Sequence, residues 1–110
     1  MKRVIGGTAV FCVVTLTAAF AFADHEKGGK IDGKKEFDEH CAVCHANGGN
    51  IVNPKFTLHK KDREANGVKS VKDIIAKIRK PGPGMTEFDT KTVSDKEATA
   101  IAKYIIKTFK

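Results

Sequence analysis

The six residues His40-Cys41-Ala42-Val43-Cys44-His45 (HCAVCH, residues 40–45) place two cysteines and two histidines within less than two helical turns. This pattern has three chemical interpretations: a zinc site, a redox-active dithiol, or the attachment site of a covalent haem, for which C-x-x-C-H is the signature. Each interpretation requires different partners elsewhere in the chain. The rest of the sequence therefore decides between them.

The zinc and dithiol interpretations lack supporting residues. A structural zinc ion takes four ligands, commonly from a second pair of Cys or His residues. Beyond the motif, the chain offers only the scattered histidines His25, His40 and His59. A thioredoxin-like CxxC opens a helix that follows a strand, whereas we predict that this motif lies late in a helix. Haem attachment is therefore the favoured interpretation.

Helical spacing explains how the motif would hold a haem. Cys41 and Cys44 are one turn apart, so both sulfurs can add to the vinyl groups of one porphyrin. Phe37, Cys41, Cys44 and His45 follow i, i+4, i+7 and i+8 spacing and share one face, from which the His45 imidazole can reach the iron. His40 is rotated by about 100° from Cys41, and we predict a surface histidine there.

Met85 is the candidate for the second iron ligand. It follows Pro81-Gly82-Pro83-Gly84, a stretch that can be neither helix nor central strand. A thioether on such a loop can approach the open face of the iron, and Met/His ligation of haem is a known arrangement. A gap-filling core role is the structural alternative for Met85. His59 is the rival ligand, with His25 and His40 behind it.

The N-terminal segment has the features of a secretory signal peptide. Met1-Lys2-Arg3 is basic, residues 4–22 carry no charge, and Ala21-Phe22-Ala23 suits signal peptidase. We predict a signal peptide over residues 1–23, a single domain over residues 24–110 and a periplasmic location. An uncleaved segment of about 20 apolar residues would instead anchor the protein in a membrane. Acylation of Cys12 is disfavoured because the preceding residue is not small.

The remaining pattern is helical. We predict a first helix from Asp32 that ends at residues 47–50, a short exposed helix over residues 57–66, a helix over residues 70–80, and a last helix that opens at Ser94. The last two have capping-box residues and apolar spacing of i, i+3, i+4 and i+7. No alternating strand pattern appears. The predicted fold class is all-α, with three to four helices.

The charge of the chain excludes some functions and suggests a docking surface. Residues 1–23 contribute two of the 20 bases and none of the 13 acids, so the predicted mature domain carries a net charge of +5. Nine bases lie between Lys55 and Lys80, and we predict that they help to dock an acidic partner. Nucleic acid is an unexpected partner, because the chain is predicted to be exported and lacks a binding motif.

Several short motifs accompany C-x-x-C-H in a fixed order. They are Gly33-x-x-x-Phe37-x-x-x-Cys41, Gly48-Gly49-Asn50, Ala65-Asn66-Gly67-Val68, Met85 with Phe88, and Tyr104 in the last helix. With these motifs the sequence resembles the class I c-type cytochromes, most closely the cytochrome c6 (c-553) group, over nearly all of the predicted mature chain. It departs from the group at Thr86, where proline is usual, in the Pro-Gly lead into Met85, and at Glu87.

The resemblance implies a small fold of three to four helices around one covalently bound haem c. In such a fold Cys41 and Cys44 attach the haem, and His45 and Met85 ligate its iron. It implies that Gly33 permits a close helix crossing and that Phe37 packs on Tyr104. The implied function is one-electron transfer between periplasmic or membrane redox partners, without catalysis. We also expect a monomer that is not stably inserted in a membrane once the signal peptide is cleaved. The alternatives are a peroxidase-like haem enzyme or small-gas binder with a labile methionine ligand, and a zinc-binding module.

Overall fold

The computed structural model describes residues 6–7 and 30–110. The predicted cleavage site, Cys12 and His25 lie outside the described residues. Within these residues the chain forms helices and no strand, which confirms the all-α class. The helices are α1 (Gly33–His40), α2 (Ala42–His45), α3 (Lys60–Ala65), α4 (Val71–Arg79) and α5 (Asp95–Thr108), with a 3₁₀ turn at Ala46–Gly48. None of these described helices has the length and apolar character needed to cross a bilayer.

The helix starts follow the predicted capping residues. The Asp32 side chain accepts hydrogen bonds from the backbone of Lys34 and Lys35, and thereby caps α1. Helices α4 and α5 open with complete capping boxes, headed by Ser70 and Ser94 respectively. The caps satisfy backbone N–H groups that have no partner within the helix. These three predicted starts are confirmed, whereas the exposed helix predicted over residues 57–66 forms only over the shorter range of α3.

Helices α1 and α5 cross closely. A Cβ atom on Gly33 would overlap the backbone oxygen of Ala100, so only glycine allows this approach. One helical turn further on, the buried ring of Phe37 packs against the rings of Tyr104, at a centroid distance of 5.2 Å, and Phe109, at 5.5 Å. The crossing and the aromatic pair implied by the resemblance are therefore confirmed.

The core lies where α1 and α4 pack against α5. The apolar spacing predicted for the last helix corresponds to Ala98, Ile101, Ala102 and Ile105 of α5, and all four are buried, as is Phe109 at the C-terminal cap of the helix. Helix α4 contributes Ile74 and Ile78, and the segment before α5 contributes Val93. Removal of these side chains from water provides the main stabilising contribution to such a small domain.

The first predicted helix is divided in two at Cys41, whose φ of −119° lies outside the α-helical range. The chain resumes helical geometry at Ala42 and leaves it again after His45, where the 3₁₀ turn begins. The assumption of one continuous helix through the motif is therefore wrong. The break changes the direction in which residues before and after Cys41 point.

Candidate functional site

A cavity of about 530 Å³ brings the four predicted site residues together. Cys41, Cys44 and His45 line it from α2 and the break before it, and Met85 lines it from the loop after α4. Much of the remaining wall is apolar, with contributions from Leu58, Val68, Ile74, Ile78, Phe88, Ile101 and Ile105. A cavity with apolar walls and a few convergent polar groups is the usual form of a cofactor site.

A backbone hydrogen bond fixes the orientation of His45. The side chain is buried, and its Nδ1 lies 2.7 Å from the carbonyl oxygen of Gly49. Because a carbonyl oxygen can only accept, Nδ1 carries the proton of this hydrogen bond, and Nε2 is the ring nitrogen left for a metal. A metal-binding imidazole commonly donates its other ring N–H in this way, which fixes the tautomer and the orientation of the ring.

The turn after His45 places the Gly49 carbonyl. Asn47 and Gly48 adopt positive φ angles of 55° and 78°, which reverse the chain directly behind the histidine. The turn is secured by hydrogen bonds from Ile51 N to Cys44 O, at 3.1 Å, and from Leu58 N to Gly48 O, at 2.7 Å. Asparagine and glycine are the residues that tolerate this left-handed backbone. Their role in ending the helix is confirmed at both positions.

The two cysteines of the motif are not joined to each other by a disulfide bond. Burial raises the pKa of the Cys41 thiol to about 11, so it stays protonated near neutral pH. Dithiol exchange near neutral pH depends on a reactive thiolate. The surroundings of Cys41 therefore do not favour dithiol exchange.

The loop over residues 80–88, hereafter the Met85 loop, closes one side of the cavity. Met85 is partly buried in the cavity wall. Gly84, with a φ of 89°, lies so near Val52 that a Cβ on the glycine would be 2.8 Å from Val52 Cγ1. Contact with the segment after the motif therefore limits which residues the loop can carry beside Met85.

The rival histidines differ in their positions. His59 is exposed, packs its ring against Phe109 at 5.9 Å and is absent from the lining of this cavity. His40 does line the cavity, with its Nε2 3.5 Å from Glu36 Oε2 and its ring 5.9 Å from that of Phe88. The prediction of a surface histidine at position 40 is wrong, because the break at Cys41 invalidates a helical projection through the motif.

An acidic group adjoins His40. Burial raises the pKa of Glu36, and the charges of Glu97 and Glu39 raise it further. Among the described residues, the set whose donor atoms lie close enough for a bare cation is Glu36, Glu39 and His40, without either cysteine of the motif. The arrangement of these residues gives no support to a zinc site built on Cys41 and Cys44.

Sequence reasoning missed the two arginines of residues 24–110. Arg63 is 5% exposed, lines the cavity and donates from Nε to the carbonyl oxygen of Leu58 at 2.7 Å. Arg79 ends α4 and donates to the carbonyl oxygens of Phe88 and Val93. The signal that could have identified Arg63 and Arg79 in the sequence is their residue type, since every other base of residues 24–110 is lysine.

The family comparisons agree with this geometry. The family model described as cytochrome C oxidase, cbb3-type, subunit III, matches residues 30–105. Cytochrome c6 of Synechocystis sp. is 33% identical over 106 residues, which cover 96% of this chain and 88% of the relative. The chain belongs to the class I c-type cytochromes. The cofactor of this cytochrome is therefore haem c, which contains iron and is attached covalently.

Solved structures share the fold of this cytochrome. OmcF, outer membrane cytochrome F from Geobacter sulfurreducens, has a TM-score of 0.69 and 44% identity, and the match covers 71% of this chain and 99% of that one. Cytochrome c6C from Synechococcus sp. PCC 7002 has a TM-score of 0.65 and 32% identity, with 70% and 93% covered. The cavity's apolar walls, paired thiols, oriented imidazole and thioether fit a haem c chemically.

Proposed function

We propose that this cytochrome is an exported one-electron carrier in which Cys41 and Cys44 hold a single haem c, and His45 and Met85 ligate its iron. One observation carries the proposal: two thiols, an imidazole and a thioether line the same apolar cavity. The residue types match the needs of the cofactor, since two sulfurs would attach it and one nitrogen and one thioether would ligate the metal.

The residues of the chain would serve electron transfer in distinct ways. When bound, haem c supplies a one-electron Fe(III)/Fe(II) couple. His45 presents Nε2 because Gly49 holds the proton on Nδ1, and Met85 offers a soft sulfur ligand. The apolar side chains around them exclude water. With both protein ligands in place, no coordination position is left for a substrate, and this disfavours peroxidase-like or gas-binding activity.

The surface beside the cavity suggests how redox partners would dock. Val43, Val52 and Phe56 line the cavity and are also more than half exposed. Of the nine bases between residues 55 and 80, Arg63 is buried and Arg79 bonds to other parts of the chain, which leaves seven exposed lysines. Of these seven, Lys77 lines the cavity. We propose that apolar contact at the cavity mouth, together with these lysines, recognises acidic partners of a periplasmic respiratory chain.

Export is proposed from the sequence of residues 1–23. Cleavage would release a monomer into the periplasm, whereas retention of the segment would anchor it. The name of the similar protein OmcF refers to an outer membrane, so both locations need a test. We expect mass spectrometry of the purified protein to give an N-terminus at Asp24, and cell fractionation to recover it in the periplasm. An intact N-terminus in the membrane fraction would establish the anchored form.

The ligand assignment is tested by spectroscopy of the purified holoprotein. Ferric haem with a bound methionine sulfur has a long-wavelength charge-transfer band. We expect this band in the native protein and its loss in Met85→Ala, with a lower midpoint potential. His59→Ala serves as the control and should keep both the band and the potential.

The other outcomes identify the alternatives. A native protein that lacks the band and binds carbon monoxide readily when reduced would be a gas binder or peroxidase. A band that survives in Met85→Ala would exclude Met85 as the ligand. A colourless protein, made in cells with haem maturation machinery, that binds stoichiometric zinc would be a zinc module.

A further inference from the structure

The Met85 loop has few hydrogen bonds of its own. Between described residues, segment 81–87 forms one backbone hydrogen bond, from Met85 N to Gly82 O, at the long distance of 3.5 Å. Its prolines lack an N–H group and cannot add donors. The position of Met85 must therefore depend strongly on how the two ends of the loop are attached to the rest of the fold.

The distal end of the loop is attached at Phe88. Its backbone N–H donates to the carbonyl oxygen of Ile78, at 3.1 Å, and its own carbonyl oxygen accepts from Arg79 Nη1, also at 3.1 Å. Consecutive residues of α4 thus bond both backbone groups of Phe88. The Met85 loop leaves α4 after Arg79 and returns to the same turn of the helix at Phe88. The bonds of Phe88 to Ile78 and Arg79 therefore hold the two ends of the loop together.

Arg79 also connects this joint to α5. Its Nη1 donates to the carbonyl oxygen of Val93 at 2.8 Å, and its Nη2 lies 2.7 Å from Asp95 Oδ1 in the first turn of α5. Val93 is buried in the core, so one end of the connection is rigid. The Arg79 side chain is 21% exposed, and its bonds to Phe88 and Val93 are partly buried, whereas its contact with Asp95 is exposed.

We propose that Arg79 is a positioning residue that holds Met85 against the cavity by bonding Phe88 and Val93 at once. This inference rests on the proposed ligation by Met85. The planar guanidinium offers several donors in fixed directions, whereas the lysine ammonium is a single point on a flexible chain. The function therefore requires arginine in particular and not only a positive charge.

Competition with imidazole tests the proposal in the ferric holoprotein. Imidazole replaces an internal ligand only when that ligand moves away, so its apparent affinity reports how firmly Met85 is held. We expect Arg79→Gln and Arg79→Lys each to bind imidazole about tenfold more tightly than the native protein, given the usual contribution of a hydrogen bond to a charged group. Lys103→Gln, an exposed charge change on α5, should leave the affinity unchanged.

A second measurement separates positioning from general destabilisation. Asp95→Asn weakens one exposed contact of Arg79 and leaves the bonds to Phe88 and Val93, so we expect its imidazole affinity to stay within about twofold of native. Two results would show that Arg79 acts only through stability. One is an imidazole affinity of Asp95→Asn equal to that of Arg79→Gln. The other is an imidazole affinity that follows the midpoint of unfolding in guanidinium chloride across all variants.

The remaining outcomes are equally decisive. Native imidazole affinity in Arg79→Lys overturns the proposal, because lysine keeps the charge and loses the planar geometry. If Arg79→Gln yields no holoprotein, Arg79→Lys alone decides. A native protein without the methionine charge-transfer band overturns the ligation by Met85 itself, a failure distinct from that of Arg79.

Discussion

At the scale of single residues, two glycines share a backbone conformation but differ in their surroundings. Gly48 and Gly67 have φ angles of 78° and 77°. A Cβ on Gly48 would lie 2.6 Å from the Phe109 ring, whereas a Cβ on Gly67 would meet nothing within 4 Å. Gly48 is thus required both for its left-handed backbone and for its lack of a side chain behind His45.

This pair gives a matched prediction for stability. Gly67→Ala should lower the free energy of unfolding by about 1–2 kcal/mol, the cost of a left-handed alanine. Gly48→Ala should lower it by about 1–3 kcal/mol more, because the methyl group must displace a packed ring. Guanidinium denaturation of the holoprotein measures both. Equal losses would show that the Phe109 contact adds nothing.

The residues of the site were predictable to different extents. Cys41, Cys44, His45 and Met85 stand in a chemically distinctive pattern, so the sequence alone predicted which side chains share the cavity. Arg63 was missed because it lies among exposed charges on a short helix, where a solvent-facing side chain is the ordinary expectation. Its burial depends on a bond to the Leu58 carbonyl, which no sequence period reveals.

At the scale of elements, the crossing of α1 and α5 depends on contact between backbones. A Cβ on Gly33 would overlap Ala100, and α5 cannot retreat without separating Phe37 from Tyr104. We expect Gly33→Ala to reduce the unfolding free energy by about 1–3 kcal/mol. Gly82→Ala, where a Cβ would meet nothing within 4 Å, should change it by less than about 0.5 kcal/mol. Thermal unfolding of both variants tests this, and an unaffected Gly33→Ala would mean that the helices separate freely.

The start of α4 makes stability depend on pH. Hydrogen bonds from the backbone of Lys69 and Ser70 lower the pKa of Asp73. Because the pKa is lowered on folding, the contribution of the carboxylate is complete above the usual aspartate pKa and is lost as the pH falls through the folded value. The stability difference between the native protein and Asp73→Asn should therefore shrink progressively as the pH falls from 6 to 3.

Chemical denaturation at a series of pH values measures that difference. Glu64→Gln, on the exposed surface of α3, is the control. If the difference in unfolding free energy between the native protein and Asp73→Asn is the same at every pH, protonation of the capping carboxylate is not coupled to folding.

Helix starts and faces were more predictable than the interruption of a helix. Ser70 and Ser94 determine their helix starts through local hydrogen bonds, and the apolar period of α5 selects its buried face. The break at Cys41 has no such local signal. It accompanies the turn at Asn47 and Gly48, which is secured by residues as distant as Leu58 and Phe109. Tertiary contacts therefore determine the geometry of the motif, and His40 enters the cavity as a result.

At the scale of the whole molecule, exposed lysines lie both beside the cavity and away from it. Lys77 on α4 is exposed and lines the cavity mouth. Lys107 on α5 is also exposed and borders a different depression, beside α1. Both side chains carry the same charge on the same net-positive protein, so their comparison separates a local effect from the total charge.

Small charged oxidants test this surface without knowledge of the natural partner. We expect Lys77→Gln to slow oxidation by hexacyanoferrate(III), an anion, and to speed oxidation by tris(phenanthroline)cobalt(III), a cation. The change should be about fivefold at low ionic strength, since a unit charge and a triply charged ion about 12 Å apart interact by about 1 kcal/mol in water. Lys107→Gln should give a smaller change, and salt should remove both effects. Equal effects from the two variants would contradict electron exchange at this surface.

The hydrogen bond from His45 to Gly49 has a consequence for how this protein can evolve. The acceptor is a main-chain oxygen, so no replacement of the residue at position 49 deletes it. In proteins where a carboxylate side chain performs this task, a single codon change removes the support of the ligand. Here a point mutation can weaken the support of the imidazole only by moving the backbone, as a side chain at Gly48 would, and not by removing the acceptor atom.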